Sequence, residues 1–405
     1  MHPRNKHFCS REPFEHNDLP LRYAEGPVKF LNPTRAHFSN PLKSKSHNND
    51  AKSDVTVRSE LNGKANNDQQ SSTHSKEETD VPASAVEFLW RSRDNRKGRH
   101  ALLVQSPTAG EEPQFLVPRP TSHYQEVLKN IKLTFTYFPV WDISWVVAVI
   151  FTLGSCVWVI NAFFVWLPLV APSTEFHNEI YIGGGVTAFI GAIIFFEVGS
   201  VLLIFEAINA NNSGCFGWAV EQLGQEKAGG KPKYRFRRGW QWFPSWQDLR
   251  THYFHELGFL AGAAQLFGAT IFGISGFTAL PGIQNHLTSH GALNGAYWIP
   301  QVIGGSSFIV SSILYMLETQ QKWWKPAFHL LGWNVGFWNF LGAIGFTLCG
   351  ALGMAYGNSG AQFQASLATF WGSWAFLIGS YLQLYESLDT HPVEEGSSKG
   401  AFEMT

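Results

Sequence analysis

From residue 141 to residue 388 the chain is a succession of apolar runs of twenty or more residues, separated by more polar breaks of which all but one are short. A bilayer core of ~30 Å is crossed by ~20 helical residues at ~1.5 Å each, so these runs are long enough to span it. The pattern predicts six transmembrane helices, at 143–167, 183–207, 257–280, 297–318, 332–356 and 364–388. Trp141, Trp166, Tyr181, Tyr297, Trp298, Trp323, Trp324, Trp333 and Tyr385 flank them, as residues at a membrane–water boundary do. The connections 168–182, 281–296 and 357–363 are short. The connection 208–256 is long and amphipathic, with Trp218, Trp240, Trp242, Phe243 and Trp246 among basic residues, and is expected to lie along the membrane face.

Before the first run the pattern is different. Residues 1–82 are rich in Asn, Ser, Lys, Asp and Pro, offer almost nothing to bury from Lys43 to Asp80, and read as a disordered tail. Residues 83–140 form a juxtamembrane segment in which Val86–Trp90 leads into Arg91, Arg93, Arg96, Lys97 and Arg99. That basic run is expected to be a solvated turn; the sharper alternative is a patch held to anionic lipid. Residues 389–405 make a short C-terminal tail.

Composition matters chiefly through its distribution. The 405 residues carry 30 Lys and Arg against 31 Asp and Glu, a net charge of −1 and a mean hydropathy of −0.08, averages that suit a soluble protein. Yet residues 1–140 hold 20 of the 30 basic residues, one of the 16 Trp and four of the 38 Gly. A polar tail attached to a multi-pass membrane domain follows, which excludes a soluble enzyme and a nucleic-acid binder with a basic body. The connection 208–256 carries 7 basic residues, 319–331 carries 2 and the C-terminal tail 1, while the three other connections carry none. The positive-inside rule then places both termini in the cytoplasm. The first thirty residues carry Glu12, Glu15, Asp18 and Glu25 and have no apolar core, which predicts no cleavable signal peptide. Cys9, Cys156, Cys215 and Cys349 share no spacing that would suggest a disulfide framework or a zinc site.

The even-numbered helices share one spacing. Phe196, Gly199, Ser200 and Glu206 are matched by Phe308, Ser311, Ser312 and Glu318, and again by Phe376, Gly379, Ser380 and Glu386. The recurrence predicts three helical-hairpin repeats in an all-α membrane fold. The small residue and the Glu, seven apart, share a helix face; the small residue admits a close partner helix. Gly258, Gly262, Gly268, Gly342, Gly345, Gly350 and Gly353 offer small residues on the odd helices. Each Glu falls at a helix C-terminus, where it opposes the macrodipole and calls for a compensating partner. For Glu318 the candidates in sequence are Lys322, Arg250, His255, Lys325 and His329. Glu206, Glu318 and Glu386, with Ser200, Ser312 and Ser380, are therefore read as structural latches.

Trp141–Ser144, Ser275–Gly282, Met316–Gln320 and Gly345–Gly350 resemble segments of a group of fungal multi-pass integral membrane proteins of uncharacterised function. The resemblance runs from about residue 83 to residue 389. The hairpin with its small-Ser pair and terminal Glu also resembles the two-helix YrhK-like membrane module. Neither resemblance implies an activity.

Glu197 stands out because it lies well inside the second apolar run, where a carboxylate costs ~2.5–3.5 kcal/mol on insertion scales. The equivalent positions are Ile309 and Leu377. Ser155, Gln265 and Asn339 fall near its depth, so an intramembrane polar site of Glu197 with these residues is expected; the bland reading is a protonated packing residue. His252, His255 and Glu256 make half a metal site at most, and Glu175, His177, Glu179, His286 and His290 read as solvated loop. Gly183–Gly185 follows no strand, against a phosphate loop. No enzyme activity, metal or cofactor is expected. The leading functional expectation is passage of a small ion or solute through the bundle; the alternative is a membrane organiser or adaptor that binds lipids, anionic ones included, or protein partners through the basic loop and tail.

Overall fold

The computed structural model describes residues 21–38, 86–105, 119–210, 212–217, 219–220, 240–355 and 357–396. The fold is mostly helical. Along the chain come β1 (Leu21–Glu25), β2 (Arg35–Phe38), β3 (Val86–Arg91), the short helix α1 (Ser92–Arg96), β4 (Ala101–Gln105) and α2 (Tyr124–Thr136). The long helices α3 (Ile143–Val170) and α4 (Glu179–Ile208) follow, then the short α5 (Trp246–Thr251). α6 (Leu257–Thr278), α7 (His290–Thr319), α8 (Leu331–Gly353), α9 (Ser359–Leu388) and β5 (Val393–Gly396) complete it.

Helices α3, α4, α6, α7 and α8 are long and apolar enough to cross a membrane, which marks an integral membrane protein. α9 is as long, at 30 residues, but its Gln, Ser, Thr and Tyr side chains make it less apolar. Each of these six helices packs on the next in sequence, and α9 packs back on α3, so the ring closes. Tight crossings explain the glycines: a methyl on Gly268 would lie 2.9 Å from the Phe308 ring, and one on Gly342 would lie 2.7 Å from that of Phe376. Small residues let helices approach closely where lipid supplies no hydrophobic drive.

The ring is filled by aromatic side chains. Phe196, Phe308 and Phe376 meet with ring centroids 5.6–6.5 Å apart. Trp158, Phe272 and Phe346 form a second triangle at 4.8–5.8 Å. All six are buried, and their edge-to-face and tilted contacts suit the ring quadrupoles.

At one end a five-stranded sheet, in the order β1-β2-β3-β4-β5, caps the ring. β4 and β5 are parallel and the other pairs antiparallel. Three separated stretches of chain therefore build it, and the sheet corrects the expectation of an all-α fold with residues 83–140 as a juxtamembrane segment without strands. β1 and β2 lie inside residues 1–82, read as disordered, and β5 lies in the C-terminal tail. These strands are short and polar, and they hold by cross-strand pairing and by bonds to the bundle. Arg91 grips Glu394 through two bonds of 2.5 and 2.6 Å, Arg35 Nη2 donates to the Thr319 carbonyl at 2.5 Å, and Asn32 N–H donates to that of His255 at 2.7 Å. The rest of residues 1–82, Asn211, Trp218 and residues 221–239 lie outside the described residues. Within the described part of the amphipathic connection, Trp240 and Trp242 pack on Phe216 and Phe205, and α5 is a six-residue helix with Trp246 exposed.

Candidate functional site

The end of the ring beneath the sheet is closed by the turn between β3 and β4. Ser92–Arg96 makes a little over one helical turn and ends in a Schellman arrangement: Arg99 N–H donates to the Asp94 carbonyl at 2.8 Å and Gly98 N–H to that of Asn95 at 3.2 Å. Gly98 has φ +64°, the left-handed conformation that a Cβ disfavours. Spacings of three and four put Arg93, Arg96 and Lys97 on one face of this tongue, aimed into the mouth of the bundle.

There they meet the three glutamates. Arg93 holds Glu386 bidentately at 2.9 and 2.7 Å. Arg96 bridges two helices, with Nη2 2.6 Å from Glu318 and Nη1 3.2 Å from Glu206, and its guanidinium lies 5.1 Å over the Tyr315 ring. Lys97 Nζ is 3.4 Å from Glu206 and 4.0 Å from Glu386. Arg99 Nη1 reaches Glu386 at 3.0 Å and Asp94 at 2.9 Å. Hydroxyls complete the ring: Ser144 donates to Glu206 at 2.6 Å and Ser92 to Glu318 at 3.1 Å. Four cations thus face four carboxylates, each with a side chain no more than 7% exposed, and the buried charge balances.

Burial alone lowers the pKa of Arg93 and of Arg96, but the adjacent Glu386, and Glu318 with Glu206, outweigh it and raise both. For Lys97 burial wins over its glutamates and the pKa is lowered. Glu256, at the entrance to α6 with Oε2 3.6 Å from His252 Nε2, is pushed up to about 7 by burial and by the Glu318 charge.

Room for the tongue is provided by glycine. A methyl on Gly258 would sit 2.6 Å from Arg96 Nε and 2.7 Å from Glu318 Oε1; one on Gly332 would lie 2.6 Å from Arg93 Cδ. These two positions open α6 and α8 where Ser144 opens α3.

The tongue corrects two sequence expectations. Residues 91–99 are neither a solvated turn nor a lipid-facing patch, because a run that looks polar locally finds its acids more than a hundred residues away. Glu318 is compensated by Arg96 and Ser92 instead of Lys322, Arg250, His255, Lys325 or His329; Lys322 instead lies 5.7 Å over the Trp324 ring.

Above the tongue lies a cavity of about 50 Å³, large enough for roughly three waters at ~15 Å³ each. Ser155, Gln265, Asn339, Ser312 and Ser380 line it, with Arg93, Arg96 and Lys97 as its floor and Phe196 and Phe376 in its wall. Ser380 donates to Ser155 at 3.3 Å, and Ser200 Oγ is buried without a hydrogen-bond partner. Glu197 does not line this cavity. It is half-buried between α4 and α6 and accepts from Thr270 Oγ1 at 3.0 Å. The expected grouping of Glu197 with Ser155, Gln265 and Asn339 is corrected accordingly: equal depth is not equal azimuth, and Glu197 points away from the axis on which the other three converge. Among the described residues no group of three or more His, Cys, Asp or Glu is placed to hold a metal ion.

Fold and site together define a class, a ring of membrane helices locked at one mouth by a tongue from its own capping sheet. No protein-family model matches the chain, and neither a curated protein nor a solved structure matches it significantly.

Proposed function

We propose that the chain is a non-enzymatic membrane organiser or adaptor: a closed six-span bundle of three hairpin repeats that anchors a sheet at the cytoplasmic face, with both termini on that side. The observation that carries this reading is the closure of the axis. The mouth holds a charge-balanced ion-pair lock, and two aromatic triangles fill the interior beyond it. The repeat is supported by similar contacts, since Gly268 and Gly342 pack against Phe308 and Phe376 of their own hairpins and Gly154 against Phe195 and Phe196 of its own. α9 is counted as the sixth span because it completes the same ring. The basic residues of 208–256, among them Lys231, Lys233, Arg235, Arg237 and Arg238, supply attraction to anionic lipid worth ~1 kcal/mol each near the surface.

Reconstituted in phosphatidylcholine–phosphatidylserine vesicles, the protein should give no proton, potassium or chloride flux above protein-free vesicles; clear flux would overturn the reading. A gated passage for a small ion or solute is the second reading, favoured by the polar cavity resting on the tongue. Under it the double variant Arg93→Ala, Arg96→Ala conducts where the wild type is silent.

A further inference from the structure

We propose that α2 is a membrane-inserted amphipathic helix, seated on the outside of the bundle with its apolar stripe in the lipid of the leaflet nearest the sheet. At ~100° per residue the helix divides into three sectors. Asn130 and Thr134 are buried against α9: Thr134 Oγ1 lies 3.4 Å from the Tyr381 hydroxyl, and Leu133 joins the cluster of Trp145, Leu384 and Leu388. Lys129 and Lys132 occupy a second, solvent-open sector, where Lys129 pairs with Glu126 at 3.1 Å. The third sector is apolar and uncovered. Tyr124, Leu128, Ile131 and Phe135, spaced four, three and four apart, are 64, 61, 37 and 70% exposed.

Four large apolar side chains in one stripe on a short helix would be costly to leave in water. Their surroundings identify lipid as the occupant. The stripe continues through exposed Phe138, Val140 and Trp141 into α3, whose Leu153, Ile160 and Phe163 face outward along a membrane-spanning helix. The apolar belt of the bundle and the stripe of α2 are thus one continuous surface. The charged sector lies on a different side, as an interfacial helix requires.

The test uses the full-length protein with its native cysteines replaced and one bimane-labelled cysteine at Leu128, Lys129, Lys132 or Phe135. It is reconstituted in phosphatidylcholine vesicles containing lipid nitroxide-labelled near the headgroup end of the acyl chain. Labels at 128 and 135 should be quenched several-fold more by the lipid nitroxide than labels at 129 and 132, with the order reversed for aqueous iodide. Iodide quenching at 128 and 135 equal to that at 129 would overturn the proposal by placing the stripe in water. Protection of 128 and 135 from both quenchers would overturn it by showing that protein covers the stripe.

Discussion

Replacing Arg96 with methionine keeps most of the side-chain volume and removes the cation that bridges α4 and α7. Glu206 retains Lys97 and Ser144, whereas Glu318 keeps only the Ser92 hydroxyl among its described hydrogen-bond partners. Removing one partner of a fully buried pair costs ~3–5 kcal/mol, because the other charge is left uncompensated. Glu318→Gln alone leaves Arg96 with Glu206 and forfeits one charge-assisted bond, at ~1.5–3 kcal/mol. In the double variant neither an unpaired carboxylate at 318 nor a guanidinium remains, so its loss should fall short of the sum by ~1–3 kcal/mol. Unfolding in mixed micelles, followed by tryptophan fluorescence for all four proteins, measures this coupling. Additivity within ~0.5 kcal/mol would show that the two side chains are not partners and would refute the lock.

Gly258→Ala and Gly332→Ala should each destabilise by ~1–3 kcal/mol through collision with Arg96 and Arg93, while Gly282→Ala, which meets nothing, should be near neutral in the same unfolding assay. The folded-state pKa of Glu256 is raised from 4.5 to about 7, so the folded protein binds the extra proton and stability should fall as pH rises across that window, by ~3 kcal/mol at most. Glu256→Gln should abolish that slope in pH-dependent unfolding; an unchanged slope would assign it to other groups. Asn211-Asn212-Ser213 should stay unglycosylated while a sequon placed in 281–296 is modified in a secretory membrane, and a glycan at Asn211 would reverse the orientation. Glu197→Gln should leave stability within ~1 kcal/mol, since the amide still accepts from Thr270, as checked by the same unfolding measurement.

The apolar runs and the Phe–small–Ser–Glu spacing were legible because each depends on residues close in sequence. Helix placement agrees within a residue at the sheet-side ends; at the opposite ends α6 and α8 stop two or three residues short, whereas α4 and α7 start earlier because Glu179–Gly184 and Asn294–Trp298 coil as π-helical turns continuous with their spans. The tongue was not legible. Its partners Glu206, Glu318 and Glu386 lie 109 to 293 residues away, and no local pattern marks Arg93 or Arg96 as buried. A signal did exist: two helix-end acids, Glu206 and Glu386, with no Lys or Arg within ten residues, and one nine-residue run, Arg91–Arg99, carrying more cations than its own Asp94 can match. Glu197 misled for the opposite reason. Its insertion cost is real, but depth read from sequence says nothing about whether a side chain faces the axis or a neighbouring helix.

The lock is tested most directly by the chemical accessibility of Ser92, which sits on the tongue and touches Glu318. In vesicles carrying protein with its native cysteines replaced, Ser92→Cys should resist a membrane-impermeant maleimide applied to the sheet side, while a cysteine at Trp323, 70% exposed just past the same helix end, reacts fully. Equal labelling of the two positions would place the tongue in water and contradict a mouth closed by Arg93, Arg96 and Lys97.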